Sequence, residues 1–417
     1  MTVHADHTIN VGDRLKPLQD ATAPDCVQAR ALPQSAEVVV IGAGVIGLAI
    51  AWQLVRRGLS VTVFERAEAG TGTSLASTGM LAAAAEHEPG GEDLLALALE
   101  SQRLWPAFRS NLEAETDLSI DYRCDGTLVV ALGRDEVERL RFRYEHQQHS
   151  ELDTSWLSGV ETRALEPGLR PSVAAGILCS GDHQVDPRRL LPALVRALRL
   201  RGGELFENSP VTSVEMSGGR ISGVVTSAGI CRTQTVVIAS GVWSGDGLLP
   251  KSIELPLRPL KGQALALRTT RQTGTLSRVV WTEQIHLAPK TDGRLIVGAT
   301  TEDTGFNPAI TAGGMLALLE GVHRALPSSE EMEVEAVWSG FRPTSDDDAP
   351  ILGETGVPGL LIATGHHRNG ILLAPVTATA IEQAVTAGAM PSAAEKFGLD
   401  RFQSKPAGQA LIAGARR

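Results

Sequence analysis

The chain has 417 residues, enough for two domains and a large core. A hydrophobic content of 43% and a charged content of 21% are those of a globular enzyme, and a net charge of −10 disfavours nucleic acid and anionic membranes as partners. Four cysteines (Cys26, Cys124, Cys179 and Cys231) lie far apart with no paired spacing, so they read as reduced thiols of a cytoplasmic protein and suggest no metal site.

Residues 1–35 mix polar residues with Pro17, Pro24 and Pro33, and are expected to form a flexible N-terminal extension with no secretory signal. The organised chain begins at Val38. An apolar run stops at Gly42-x-Gly44-x-x-Gly47, an amphipathic helix pattern follows to Arg57, Gly58 ends it, and a second β-rich run closes on Glu65. This is a β-α-β unit with an acid at the tip of its second strand, and each part suits a dinucleotide. Gly42 permits a tight turn, Gly44 leaves room for a pyrophosphate, and Gly47 lets helix and strand pack closely. The helix N-terminus offers N–H groups to phosphates. Glu65 suits both ribose hydroxyls and repels a 2′-phosphate, which disfavours NADP. The unit by itself does not separate FAD from NAD.

Residues 67–91 are rich in Gly, Ser, Thr and Ala, a composition that lets backbone lie against a ligand. The pattern then predicts helices over 92–115 and 134–149 around a strand over 126–132, and a helix over 186–201 with Asp186 as N-cap and Pro187 at its first position. Strands are expected over 204–207, 211–216, 220–226 and 233–239, broken by Gly202-Gly203 and Gly218-Gly219. A strand-and-turn region over 257–301 precedes a helix over 313–325 and a strand over 333–339. The tail holds a strand over 359–363, a Gly-rich loop and a helix over 375–387. No run reaches the ~20 apolar residues of a membrane helix. The fold class is therefore α/β (α+β overall), with two domains assembled from interleaved segments.

Five motifs carry a resemblance: VVVIGAGVIG with FER, STGMLAAAAEHEPG, VVIASGVWSG, RLIVGATTED, and the pair GFRPTSDDDAPILG with GHHRNGILLAP. Through them the chain resembles the D-amino-acid-oxidase family of FAD enzymes, and within it the glycine oxidases of thiamine biosynthesis. The resemblance implies a Rossmann-like FAD-binding domain from 36–80, 181–250 and 336–400. It also implies a mixed-sheet substrate domain from 81–180 and 251–335, and a C-terminal tail over 401–417. It implies non-covalent FAD and oxidative deamination of glycine, sarcosine or small D-amino acids by hydride transfer to flavin N5. The products would be imine or glyoxylate, ammonia and, from dioxygen, hydrogen peroxide. Implied partners are the small amino-acid substrate, dioxygen, thiazole-synthesis enzymes and further copies of the chain, as a homotetramer. Relatives that use another substrate, such as proline, or a non-oxygen acceptor are the alternative. A nicotinamide dehydrogenase and a non-catalytic flavin-binding protein are more distant ones.

The chemistry implied needs positioning and electrostatics and no acid–base residue. An arginine fork matches a carboxylate. By family position Arg342, which the pattern places just after a strand, anchors the substrate carboxylate, with Arg368 near it. A salt bridge from Arg342 to Asp346–Asp348 is the competing reading. His286 stands where these enzymes often carry a tyrosine over the substrate. Expected cofactor contacts are Gly42, Gly44, Val45, Ile46 and Gly47 at the turn, with Glu65 and Arg66 by the ribose. Thr73 and Ser74 follow as hydroxyl donors. Thr78, Gly79 and Met80 run along the ring, and Val211 lies on the adenine side. His366, His367, Arg368, Asn369, Gly370, Ile371 and Leu372 line the flavin.

Overall fold

A computed structural model describes the protein at residues 9–10, 32–269 and 276–402. Most of the extension expected over 1–35, and nearly all of the tail expected over 401–417, lie outside those residues.

Four apolar runs, Val38–Ile41, Val61–Phe64, Thr235–Ile238 and Leu360–Thr364, form the buried middle of a six-stranded sheet. Runs this continuously apolar need cover on both faces. Val38, Val40 and Val237 pack under a helical layer that includes Val45–Arg56, Pro187–Leu200 and Ala374–Ala387. Val39, Ile41, Val236 and Ile238 pack against Ile221, Val224 and Cys231 of a small three-stranded antiparallel sheet. The strand order runs Ile351–Glu354, Leu360–Thr364, Thr235–Ile238, Val38–Ile41, Val61–Phe64, Glu204–Phe206, parallel except for the first. The chain winds outward one way from Val38–Ile41 and the other way from Thr235–Ile238. The crevice beyond the carboxyl ends of those two strands is thus the topological switch point, where doubly wound sheets bind ligands.

The second layer is a mixed nine-stranded sheet. Its longest pair joins Leu257–Arg268 to Glu333–Ser345, paired from Leu257↔Ser345 to Arg268↔Glu333 with one register shift between Ala266 and Leu267. The strand expected to stop at 339 therefore continues to Ser345, and Arg342 lies inside it rather than after it. Gly340 and Pro343 read as breakers in sequence. In the sheet they sit opposite Gly262 and Pro259, so each irregular residue meets its like. Two more segments sit differently from the expected division. Residues 336–345 belong to this sheet, and helix Glu92–Thr116 packs through Leu97, Trp105, Phe108 and Leu112 onto the helical layer of the other. Ile9 and Asn10, within the stretch expected to stay outside the fold, pair with Val337 and Ala336 at the sheet edge.

Candidate functional site

One cavity of about 2150 Å³ runs from the Gly42 turn at the switch point to His286 and Arg342 on the nine-stranded sheet. Its first half is built by the glycine turn. Gly42 has φ +104°, and a Cβ there would meet the Ala239 carbonyl at 2.6 Å. A Cβ on Gly47 would lie 1.9 Å from the Gly42 oxygen, so Gly47 lines no cavity and serves close packing. Gly44 is extended (φ −74°), caps helix Val45–Arg56 without a side chain, and has only Ser74 Oγ near its missing Cβ, at 3.2 Å. The Glu65 carboxylate is pinned over this turn, accepting the Ala43 N–H at 2.8 Å and the Ala67 N–H at 3.1 Å. Ser74 Oγ accepts the Val45 N–H at 2.9 Å, which leaves its own proton free for a ligand. Thr73, expected to donate to a cofactor, instead donates to the Phe341 carbonyl at 2.6 Å and ties its helix to the long strand. Arg66 lies 3.9 Å over the Trp243 ring, a contact in the cation–π range. Both line the cavity with Val45, Ile46 and Val211.

The other half is lined by Thr78, Met80, His366, His367, Arg368, Gly370 and Ile371. Three further expected contacts do not reach the cavity. Gly79 (φ +81°) runs so close to Val185 that a Cβ would sit 2.1 Å from its carbonyl. Asn369 closes a turn, its N–H donating to the His366 carbonyl at 2.8 Å. Leu372 is 1% exposed, and its carbonyl accepts from Ser101 Oγ at 2.6 Å and Trp105 Nε1 at 2.8 Å. His366 and His367 are spoken for as well, by Thr377 Oγ1 at 3.0 Å and Thr344 Oγ1 at 2.9 Å. Burial pushes both down to about 3, so they are neutral.

Arg342 projects over Gly262, where a Cβ would come within 2.7 Å of both terminal nitrogens. Its Nη1 donates only to backbone, the Lys261 carbonyl at 3.3 Å and the Thr300 carbonyl at 3.2 Å. No ion pair among the described residues involves Arg342. Asp347 is taken by Arg401 at 2.8 Å and Asp348 faces His367 at 3.9 Å, against the competing salt-bridge reading. Burial, then Arg368, lowers Arg342 to about 10, so it stays cationic at neutral pH. Beside it His286 Nε2 is shut from solvent without a partner. Burial, then Arg342 and Arg368, push this imidazole down to about 3, so it is neutral.

Sequence reasoning missed Glu86, which lines the same end with Oε2 3.8 Å from Arg368 Nε. Its signal was an acid ending the apolar run 79–85. Trp243, Trp281 and Trp338 of the lining were also missed, since single aromatics read as core. Asp182 holds the approach to Glu86, its two oxygens each accepting one N–H, from Ala84 and Ala85, at 3.0 Å. Burial pushes Asp182 up to about 7, with those N–H groups acting against it. The folded chain then keeps this proton between about pH 4 and 7, where the unfolded carboxyl has released it. Its stabilising contribution is complete below about pH 4 and is lost as pH rises through 7. Urea midpoints measured from pH 5 to pH 8 are expected to fall less in Asp182→Asn than in the wild type.

The turn, the pinned acid and a continuous cavity that reaches from them to a guanidinium without an anionic partner fit FAD. Among the described residues no acid, histidine and cysteine cluster would hold a metal, and no helix is long and apolar enough to cross a membrane.

Comparison with known proteins agrees with this geometry. The family described as FAD dependent oxidoreductase, of the D-amino-acid-oxidase type, matches residues 37–384. The bifunctional protein ThiO/ThiG of Trichormus variabilis is 36% identical over 88% of this chain and 55% of its own length. The chain thus spans about half of that relative. Glycine oxidase of Geobacillus kaustophilus is 34% identical over 82% of this chain and 90% of its own. The crystal structure of glycine oxidase from that organism superposes with a TM-score of 0.83 at 31% identity, covering 88% and 99% of the two chains. The hydrogen cyanide synthase subunit HcnC of Pseudomonas aeruginosa is 29% identical over 90% of this chain and 99% of its own.

Proposed function

The chain belongs to the D-amino-acid-oxidase family of FAD-dependent oxidoreductases, and from that premise we propose that it oxidises the amine of glycine or a similarly small amino acid, with dioxygen as acceptor. Glyoxylate, ammonia and hydrogen peroxide are the products. FAD, when bound, takes up the two electrons and the hydrogen lost from the amine-bearing carbon.

The observation that carries the proposal is the unpaired Arg342. A buried guanidinium satisfied only by two carbonyls offers its outer edge to a carboxylate, and a bidentate pair fixes the substrate's orientation as well as binding it. His286, neutral, lines the same end of the cavity without adding a second charge. Gly42, Gly44, Glu65 and Ser74 hold the dinucleotide, with Arg66, Trp243 and Val211 toward its adenine end. The six-stranded sheet and its helices form the FAD-binding unit, and the nine-stranded sheet forms the substrate unit. The protein acts as a cytoplasmic homotetramer. A place beside thiazole-synthesis enzymes is supported by the bifunctional ThiO/ThiG relative.

A second reading keeps the reaction and changes the substrate or acceptor. It is favoured by His286 in the tyrosine position and by the match to HcnC. Anaerobic mixing of the yellow holoenzyme with glycine, sarcosine, D-alanine and proline separates the two. Bleaching by glycine and peroxide on admitting air are expected. Bleaching only by another amine, or no peroxide, selects the second reading.

A further inference from the structure

The Arg342 and Arg368 guanidinium groups and the Glu86 carboxylate line the substrate end of the cavity, while the neighbouring Arg143 and Glu88 pair with each other at 2.8 Å. Glu86 is 15% exposed, lines the cavity, and approaches Arg368 Nε at 3.8 Å, longer than a hydrogen-bonded ion pair. No hydrogen bond to its carboxylate is formed among the described residues beyond that approach. An unsatisfied, mostly buried carboxylate is costly to keep. The fold nevertheless invests in holding it, because Asp182, 0% exposed, fixes the two residues before it through their N–H groups. Arg342 is likewise left without an anionic partner. A cation-receiving and an anion-receiving group, both unfilled and both on one cavity wall, match the two ends of a zwitterion.

We propose that Glu86 receives the substrate's nitrogen: Arg342 takes the carboxylate of an α-amino acid and Glu86 takes its ammonium group and one proton from it. The proposal rests on the amine-oxidising reading above. In this step an N–H bond breaks and an O–H bond forms on the Glu86 carboxylate. The nitrogen keeps the electron pair, and the glutamic acid and the amine are both left neutral. The amine then has the lone pair its oxidation requires, without any outside base. Burial raises Glu86 above the ordinary carboxylate range, which makes it a better proton acceptor, while Arg368, Arg342 and Arg143 pull it back and Glu88 pushes it further up. Asp182 also faces it, from the turn before His183–Gln184.

The competing account makes Glu86 only a counter-ion to Arg368. The two accounts differ in sign for a ligand that has a carboxylate but no nitrogen. Glu86→Gln removes the negative charge, so acetate binding, followed by the flavin absorbance shift of the holoenzyme, is expected to be unchanged or tighter. Glycine is expected to lose about 100-fold in kcat/KM, and the acidic limb of the kcat/KM profile is expected to move. Glu86→Asp, with the charge kept, restores part of the glycine activity, and retained yellow colour in both variants shows the fold is intact. Weakening of acetate and glycine together, or glycine kinetics like the wild type's, overturns the proposal. A wild-type flavin that no amine bleaches overturns the amine-oxidising reading and this proposal with it, whereas a bleached wild type with an unaffected Glu86→Gln overturns this proposal alone.

Discussion

Arg342→Ala is expected to lower kcat/KM for the small amino acid by ~3–5 kcal/mol of transition-state stabilisation, roughly a hundred- to several-thousand-fold, mostly through KM. The size follows from the surroundings. The guanidinium is desolvated enough to be pulled down to about 10, so an incoming carboxylate meets it in a medium where charge pairs are strong. Nothing else on that wall replaces it. Arg368 is 47% exposed and turned toward Glu86, and His286 carries no charge. The truncation removes one of two donors from the Lys261 carbonyl, which still accepts the Glu302 N–H at 2.9 Å, and the donor of the Thr300 carbonyl, which stands between the cavity-lining Ala299 and Thr301, where water fills the vacated space. Stability should therefore change little while binding collapses. Arg342→Lys restores the charge without the fork and is expected to recover only part of the loss. Steady-state kinetics with glycine, together with the melting temperature, check both statements, and near-normal kinetics in Arg342→Ala would remove the carboxylate anchor from the proposal.

Legibility in the sequence followed the length scale of each signal. Helix Arg134–His149 and strand Arg220–Thr226 carry their own periodicity and turn residues, and the expected bounds coincide with the observed ones. Helix Pro187–Leu200 announces itself by Asp186, whose side chain does accept the Arg188 N–H at 3.0 Å. Strands Thr154–Ser158 and Ala175–Cys179 went unread. The first buries only Thr154 and leaves Ser155 and Ser158 exposed, and it is held by pairing with Ala175–Cys179, which in turn pairs with Thr127–Ala131, rather than by local propensity. Pro343 and Gly340 hid the end of Glu333–Ser345 for the same reason, since only the partner strand shows that they are tolerated.

The site divides in the same way. The glycine turn and Glu65 lie within one β-α-β unit, where spacing alone defines the geometry. Which residues of a matched loop face the cavity is a tertiary question. Gly79, Asn369 and Leu372 were expected as contacts and turn out to hold backbone in place, while Glu86 and Trp243 were passed over and line the wall. Glu86 acquires meaning only from Arg368 and Arg342, which are more than 250 residues away in sequence and adjacent to it in space.

Gly44→Ala and Gly47→Ala are expected to fail in opposite ways, although both remove one glycine from the same motif. At Gly47 the new methyl would stand 1.9 Å from the Gly42 carbonyl oxygen and 3.3 Å from Val40 Cγ1. The obstacle is backbone in a turn that cannot swing aside, so strain of ~3 kcal/mol or more is expected, seen as a lower melting temperature even without cofactor. Gly44 is different in every respect that concerns the protein alone. Its φ of −74° and ψ of −179° are open to any residue, and the one neighbour of an added Cβ is Ser74 Oγ at 3.2 Å. The apoprotein should therefore keep its stability to within about 0.5 kcal/mol, as at an ordinary surface position. Neither chain geometry nor internal packing demands a glycine there, which leaves close approach of a phosphate to the bare helix N-terminus as the demand. Purified Gly44→Ala is accordingly expected to be folded and nearly colourless, with its flavin-to-protein absorbance ratio restored only by excess FAD. If it retained stoichiometric FAD through gel filtration, the pyrophosphate would have to lie elsewhere than against this turn.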